Sequence, residues 1–274
     1  MFDAIFVQPL INVLFFIYGI LPGHDFGLSV IIMTAIIRLV MWPVMAKQLH
    51  SQKKMQALQP EIARVRAEAA GDKQKESAML MELYKQKEIN PLASCLPLII
   101  QLPFLIALFA VFNRATQGFD VVTPLLYGPV KDLSWISQVI NNPELFSAEL
   151  FGLVDLAAKN NIVLALIAGA TQYYQVWQIT PKNADPSDPS AATNKMMTWM
   201  FPFLTAWIGY TLVAALPLYW AVSNGISILQ QSLTMKEEVD KMEEAKVVTK
   251  VREVQSLKIS KKGKGKSKTK RKRG

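Results

Sequence analysis

One arginine, Arg38, stands inside the stretch TAIIRLVMWPVMAKQ, Thr34 to Gln48, in an apolar run that otherwise reads as built to lie in lipid. A guanidinium placed in hydrocarbon costs about 2.5–3.5 kcal/mol on insertion scales, so it needs an acid, backbone groups or water beside it. None of the five apolar runs of the chain contains Asp or Glu, so no carboxylate within them can neutralise it. Snorkelling of the long side chain to the headgroups is the bland explanation. The sharper one looks for polar company at helical spacing. Thr34 lies one turn before Arg38, and Gln101 sits in the middle of a second run. Thr171, Gln175 and Gln178 follow at spacings of four and three; Trp220, Asn224, Ser227 and Gln231 follow at four, three and four, with Tyr219 and Ser223 adjacent. Any one such residue serves well enough as hydrogen-bonding glue between helices. Stripes on several helices around an unpaired arginine read instead as a polar groove that admits water.

That groove lacks the parts of other machines. Without Asp, Glu, His or Lys in the apolar runs there is no proton relay and no obvious cation site. No Ser–His pair, paired carboxylates or glycine-rich phosphate loop appears, so hydrolysis and nucleotide-driven transport are not expected, and neither is an enzyme. Cys95 is alone, and His24 and His50 are far apart, so neither a metal site nor a cofactor is expected.

The elements that must hold the groove follow from hydropathy. The chain is 51% hydrophobic yet carries a net charge of +9, which points to membrane spans with charge pushed into loops. Residues 1–22 lack a basic n-region and contain Pro9. They read as an amphipathic interfacial helix with a weak polar stripe at Gln8 and Asn12, rather than a secretory signal, with an extra span as the alternative. Apolar segments at 26–46, 91–112, 161–178, 196–213 and 217–233 read as five transmembrane helices, each near the length needed to cross about 30 Å. The last two form a run far too long for one span, and VAALP with Pro217 marks the break. Residues 47–90 read as a charged helical hairpin. Its narrow apolar seam runs through Leu58, Ile62 and Val65, then Leu80, Leu83 and Tyr84 beyond a turn at Gly71–Lys73.

Loop charge orients the array. Residues 47–90 hold nine Lys/Arg and the tail from Met235 holds fifteen, whereas 113–158 holds two against five acids. The positive-inside rule puts the hairpin, the 179–195 loop and the 235–274 tail in the cytoplasm, the 113–158 loop outside and the N-terminus outside. The fold class is therefore all-α: a polytopic membrane protein with five spans around a polar groove. The end of the tail, Ser260 to Gly274, holds nine Lys/Arg and no acid, and its composition predicts disorder.

At this point the residues resemble a family. GLSVIIMTAIIRLVMWPVMAKQ, NPLASCLPLIIQLPFLIALFAVF, AGATQYYQ, FPFLTAW and LYWAVSNGISILQQ together resemble the YidC-type membrane protein insertases, in the five-span form without a large outer-side domain. The resemblance implies a groove open to cytoplasm and lipid with Arg38 as its single arginine, Thr34 as the groove threonine and Gln175 as the groove glutamine. It implies Trp220 as the aromatic after LPLY; Gln101, Tyr219 and Asn224 complete the expected client-binding set. It further implies nascent membrane proteins as clients, a cell-membrane location, and no cofactor. Basic tails in related proteins contact the ribosome. That marks Lys261, Lys262, Lys264, Lys266, Lys268, Lys270, Arg271, Lys272 and Arg273 as ribosome contacts, with anionic membrane lipids as competitors. The Sec translocon is a further candidate partner. Two other function classes stay in view: an anion-selective channel or transporter filtered by Arg38, and a scaffold that docks ribosomes.

Overall fold

The computed structural model describes residues 1–87, 96–180 and 189–234, with side chains described outside 96–100 and 189–194. The chain is mostly helical. Residues 88–95, which include the start of the second apolar run, the 181–188 part of the 179–195 loop and the 235–274 tail lie outside the described residues.

A π-helical turn, Asp3–Val7, runs into α1, Gln8–Ile20. The wider turn sits just before Pro9, whose ring would crowd the carbonyl of a regular α-turn below it. The face of α1 carrying Ile11, Leu14, Phe15 and Tyr18 is buried, while Val13, Phe16 and Ile20 remain exposed. The polar stripe is occupied by protein. Gln8 Nε2 and Asn12 Nδ2 both donate to the Leu125 carbonyl, at 3.2 and 2.9 Å, and Asn12 Oδ1 accepts from the Tyr127 amide at 2.6 Å. These bonds dock α1 on the segment around Leu125 and Tyr127.

Asp25 opens α2, Phe26–Ala57, by accepting from the Leu28 amide at 2.6 Å. The helix does not stop where the apolar run ends at Ala46. It continues for 32 residues, about 48 Å at the standard rise, because its backbone bonds are indifferent to the switch from apolar to charged side chains. By length and composition, Asp3–Ile20 and Phe26–Ala57 are each sufficient to cross a membrane. After α2 come α3, Gln59–Ala69, and α4, Lys73–Gln86. Ala70 and Gly71 turn the chain with positive φ, and Asp72 caps α4 by accepting from the Gln74 and Lys75 amides. Leu58, Ile62 and Leu83 bury against one another with Met55, Val65, Leu80 and Tyr84 packed around them. Three buried residues make a thin seam, and the pairs Arg66–Glu76 and Lys87–Glu61 add little at the surface.

α5, Leu96–Gln117, leads into a compact cap. The cap holds α6 (Phe119–Val122), α7 (Gly128–Lys131), α8 (Ser134–Asn141) and a two-stranded antiparallel hairpin, β1 (Glu149–Leu150) with β2 (Val154–Asp155). An aromatic cluster joins cap to helices. Phe146 lies 5.9 Å from Phe15, 5.6 Å from Tyr18 and 5.5 Å from Phe26, while Phe119 meets Phe15 edge-on at 5.3 Å.

α9, Ile162–Ile179, begins at Asn161, whose side chain accepts from the Leu164 amide at 3.0 Å. It packs on α10, Pro189–Thr211, at Gly169, where a Cβ would stand 2.8 Å from Ala206 Cβ. The chain then turns at 212–214 into α11, residues 215–234. The turn is satisfied by its neighbours: the Ala214 and Ala215 amides donate to the Ala158 and Leu156 carbonyls at 2.9 and 3.1 Å. Pro217 falls in the first turn of α11, where its missing N–H breaks no internal bond.

Candidate functional site

Arg38 lies twelve residues into α2, about 18 Å along its axis. It is half-buried, and its side chain points to α11, where Ser223 Oγ accepts from Nε at 2.7 Å and also from Nη2. Among the described residues it makes no salt bridge. A guanidinium has five N–H donors, so one hydroxyl leaves most of its donor capacity free for water or a guest.

Two adjoining cavities share Arg38 and Met45. The smaller, about 150 Å³, runs between α2, α5 and α11, lined by Phe6, Ile37, Met41, Gln101, Phe104 and Tyr219 besides the shared pair. Across it, Gln101 Nε2 donates to the Tyr219 hydroxyl at 3.2 Å. The larger, about 220 Å³, opens between the lower part of α2, α9 and α11. Six glutamines line it: Gln48, Gln52, Gln172, Gln175, Gln230 and Gln231. Gln230 Nε2 is engaged by the Trp42 carbonyl at 3.0 Å. Gln48 is different, because it is 6% exposed and neither its Nε2 nor its Oε1 has a hydrogen-bond partner. A buried amide left open on both atoms costs about 1–3 kcal/mol per group, so it marks a place where a polar partner belongs. Gln231 Oε1 is likewise buried without a partner.

Of the residues expected from sequence, Arg38, Gln101 and Tyr219 come together at the smaller cavity, and Arg38 and Gln175 at the larger. The other three are placed differently. Thr34 is fully buried, and its hydroxyl donates to the Val30 carbonyl of its own helix at 2.7 Å. Asn224 is 3% exposed and donates to Thr171 Oγ1 at 3.2 Å, which ties α11 to α9. Trp220 packs on the main core. The basic cluster from Lys261 to Arg273 lies outside the described residues.

Sequence reasoning left Ser223, Gln48, Gln52, Gln172 and Gln230 out of the site set. The signal was present for the glutamines: Gln48 and Gln52 are four apart, and Gln172 and Gln175 are three apart, each pair on one helical face. Stopping the first span at Ala46 hid the first pair. Among the described residues no cluster of His, Cys, Asp and Glu could hold a metal ion. What the site offers chemically is one cation and a wall of neutral amides, each able both to donate and to accept.

Against known proteins, the family described as 60Kd inner membrane protein matches residues 16–242. The chain is 36% identical over 217 residues to the membrane protein insertase YidC of Clostridium tetani, covering 79% of this chain and 84% of that one. It is 32% identical over 213 residues to the membrane protein insertase YidC of Fusobacterium nucleatum, covering 78% and 87%. With the membrane protein insertase YidC of Brucella suis it shares 30% identity over 222 residues, 80% of this chain but 34% of that protein.

Proposed function

The chain belongs to the 60Kd inner membrane protein family, that of the YidC membrane protein insertases, and from that membership we propose that it inserts small membrane proteins and helps them fold. It does so without nucleotide hydrolysis. The observation that carries the reading is Arg38: a half-buried cation in a long apolar helix, without a carboxylate partner among the described residues, beside an amide-lined cavity.

A client must bring a polar outer segment through hydrocarbon, and each acidic residue costs about 2.5–3.5 kcal/mol at the bilayer centre. Arg38 draws an acidic or polar segment part-way in from the cytoplasm. The glutamines of α2, α9 and α11 supply hydrogen bonds that lipid lacks, with Gln101 and Tyr219 closing the wall. Asn224 ties α11 to α9, while Thr34 and Trp220 pack in the helices that frame the groove. The client's own apolar span then supplies the driving force as it leaves sideways into lipid.

Five spans carry this groove: 26–46, 91–112, 161–178, 196–213 and 217–233. Residues 1–22 lie at the interface, with the N-terminus outside and the basic tail cytoplasmic. The 47–90 hairpin helps recruit clients. Lys261 to Arg273 dock the ribosome by counterion release, and the Sec translocon is a further partner.

The experiment is insertion of a short single-span client with an acidic outer segment into liposomes containing only this protein. Loss of insertion with Arg38→Ala, in a variant that still folds, supports the reading. Retention of full insertion removes the arginine from the mechanism. No insertion by the unaltered protein removes the function.

A further inference from the structure

The cap hairpin carries two apolar side chains that no described residue covers. Phe151 is 63% exposed and Leu153 is 85% exposed, on the three residues between β1 and β2. The tip is not a loose end. Phe151 takes a left-handed backbone, φ 54°, and its amide donates to the Asp25 carboxylate, the same group that caps α2. One residue earlier, Leu150 lies so close on α2 that a Cβ at Gly27 would be 2.5 Å from Leu150 Cβ. At the opposite end of the hairpin, Glu149 and Asp155 face each other across the strands and are exposed. The hairpin is therefore acidic at its base and apolar at its tip.

Its height relative to a bilayer follows from α2. The apolar run begins at Phe26, directly after Asp25, and the first charged residue at its far end is Lys47. Those 21 residues rise about 31 Å, which matches a hydrocarbon thickness of about 30 Å. Asp25 then sits at the hydrocarbon boundary, and Gly27 lies a few ångströms below it. The residues bonded to Asp25 and packed on Gly27 sit at that same level.

We propose that Phe151 and Leu153 form a membrane foot, inserting into the headgroup–acyl boundary at the N-terminal end of α2. The proposal rests on α2 spanning the bilayer. The occupant is lipid because the depth set by Asp25 and Gly27 puts the tip within the interfacial layer, where exposed apolar side chains are buried by acyl chains. The foot ties the cap to the membrane surface and keeps α1, α8 and the hairpin from rocking over the head of α2.

The test uses the full chain with Cys95→Ser, reconstituted in phosphatidylcholine–phosphatidylglycerol liposomes with no other protein. Single cysteines are placed at Leu153, at Glu144 on the exposed part of the cap, and at Val40, which is 72% exposed on α2. Each is titrated with a charged, membrane-impermeant thiol reagent. Leu153→Cys is expected to react about tenfold more slowly than Glu144→Cys, because a charged reagent does not follow a thiol into the acyl boundary. A fluorophore on Leu153→Cys is expected to be quenched by lipids spin-labelled near the headgroup. Equal rates at Leu153→Cys and Glu144→Cys overturn the foot and leave a protein partner as the cover. Val40→Cys separates this failure from that of the premise: if it reacts as fast as Glu144→Cys, α2 does not span.

Discussion

Arg38 and Ser223 are 185 positions apart in the chain, and the serine hydroxyl accepts from the guanidinium at both Nε, 2.7 Å away, and Nη2. This bond holds the cation of α2 against α11 and fixes which donors face the cavities. Removing the hydroxyl with Ser223→Ala should leave the arginine charged but unpositioned. A charge-assisted hydrogen bond is worth about 1.5–3 kcal/mol, so a client-insertion rate that depends on the fixed geometry should fall by about tenfold to a hundredfold. In an Arg38→Ala background the same serine change should cost nothing further. Insertion rates for the four members of this double-mutant cycle decide it, and additive losses would mean the two residues act separately.

The charge itself can be separated from the shape. Arg38→Lys keeps the cation but cannot span Ser223 and a guest with one planar fork. Insertion of an acidic client should be partly retained in Arg38→Lys and lost in Arg38→Glu. Equal rates for all three proteins on an acidic client would remove electrostatic attraction from the mechanism.

Gln48 makes an opposite pair of predictions for stability and activity. Its amide is buried with both polar atoms open, so Gln48→Met removes a desolvation cost while nearly keeping the volume. Thermal unfolding in detergent should be unchanged or shifted up, by as much as about 1–3 kcal/mol. Client insertion should fall, because the cavity loses a donor and an acceptor. A variant that loses both stability and insertion would mean that Gln48 is a structural amide.

The lining of the two cavities is legible in the sequence where a polar residue interrupts an apolar run. Arg38, Gln101, Gln175 and Tyr219 all stand out in that way, and all four line the cavities. What spacing does not reveal is rotation and reach. Ser223 and Asn224 are neighbours, yet successive helix positions are about 100° apart, so one meets Arg38 and the other turns to Thr171. Which of them does so depends on how α11 packs. Thr34 shares a face with Arg38, but its short hydroxyl is taken by the carbonyl four residues back. Gln48 and Gln52 were obscured by the charge beginning at Lys47, which ends an apolar run but not a helix. The cap reads from sequence only as a loop, because its helices are four to eight residues long, too short for periodicity to register.

Asp25 serves two elements with one carboxylate, capping α2 through the Leu28 amide and holding the Phe151 amide of the hairpin. Asp25→Ala should lower stability by about 1–2 kcal/mol from the cap alone. Asp25→Asn retains an acceptor for the cap and should cost less. Amide hydrogen exchange at Phe151 and Leu28 distinguishes the two roles. Both sites should exchange faster in Asp25→Ala, and unchanged protection at Phe151 would show that the hairpin stands without the latch.

Gly169 sets the spacing of α9 on α10, and its replacement is the sharpest test of the packing that frames the larger cavity. A Cβ there would stand 2.8 Å from Ala206 Cβ and 3.1 Å from the Pro202 carbonyl oxygen. The first contact can be relieved by shrinking the partner, whereas the second involves backbone and cannot. Gly169→Ala should therefore destabilise the protein by about 1–3 kcal/mol, as overpacking in a close interface does, despite the better helix propensity of alanine. Adding Ala206→Gly should recover part of that loss and no more, because the Pro202 carbonyl remains in the way. The midpoint of unfolding in mixed micelles measures both steps. If Gly169→Ala is neutral, α9 and α10 have room to separate, and a rigid spacing between them is not what shapes the cavity around Gln172 and Gln175.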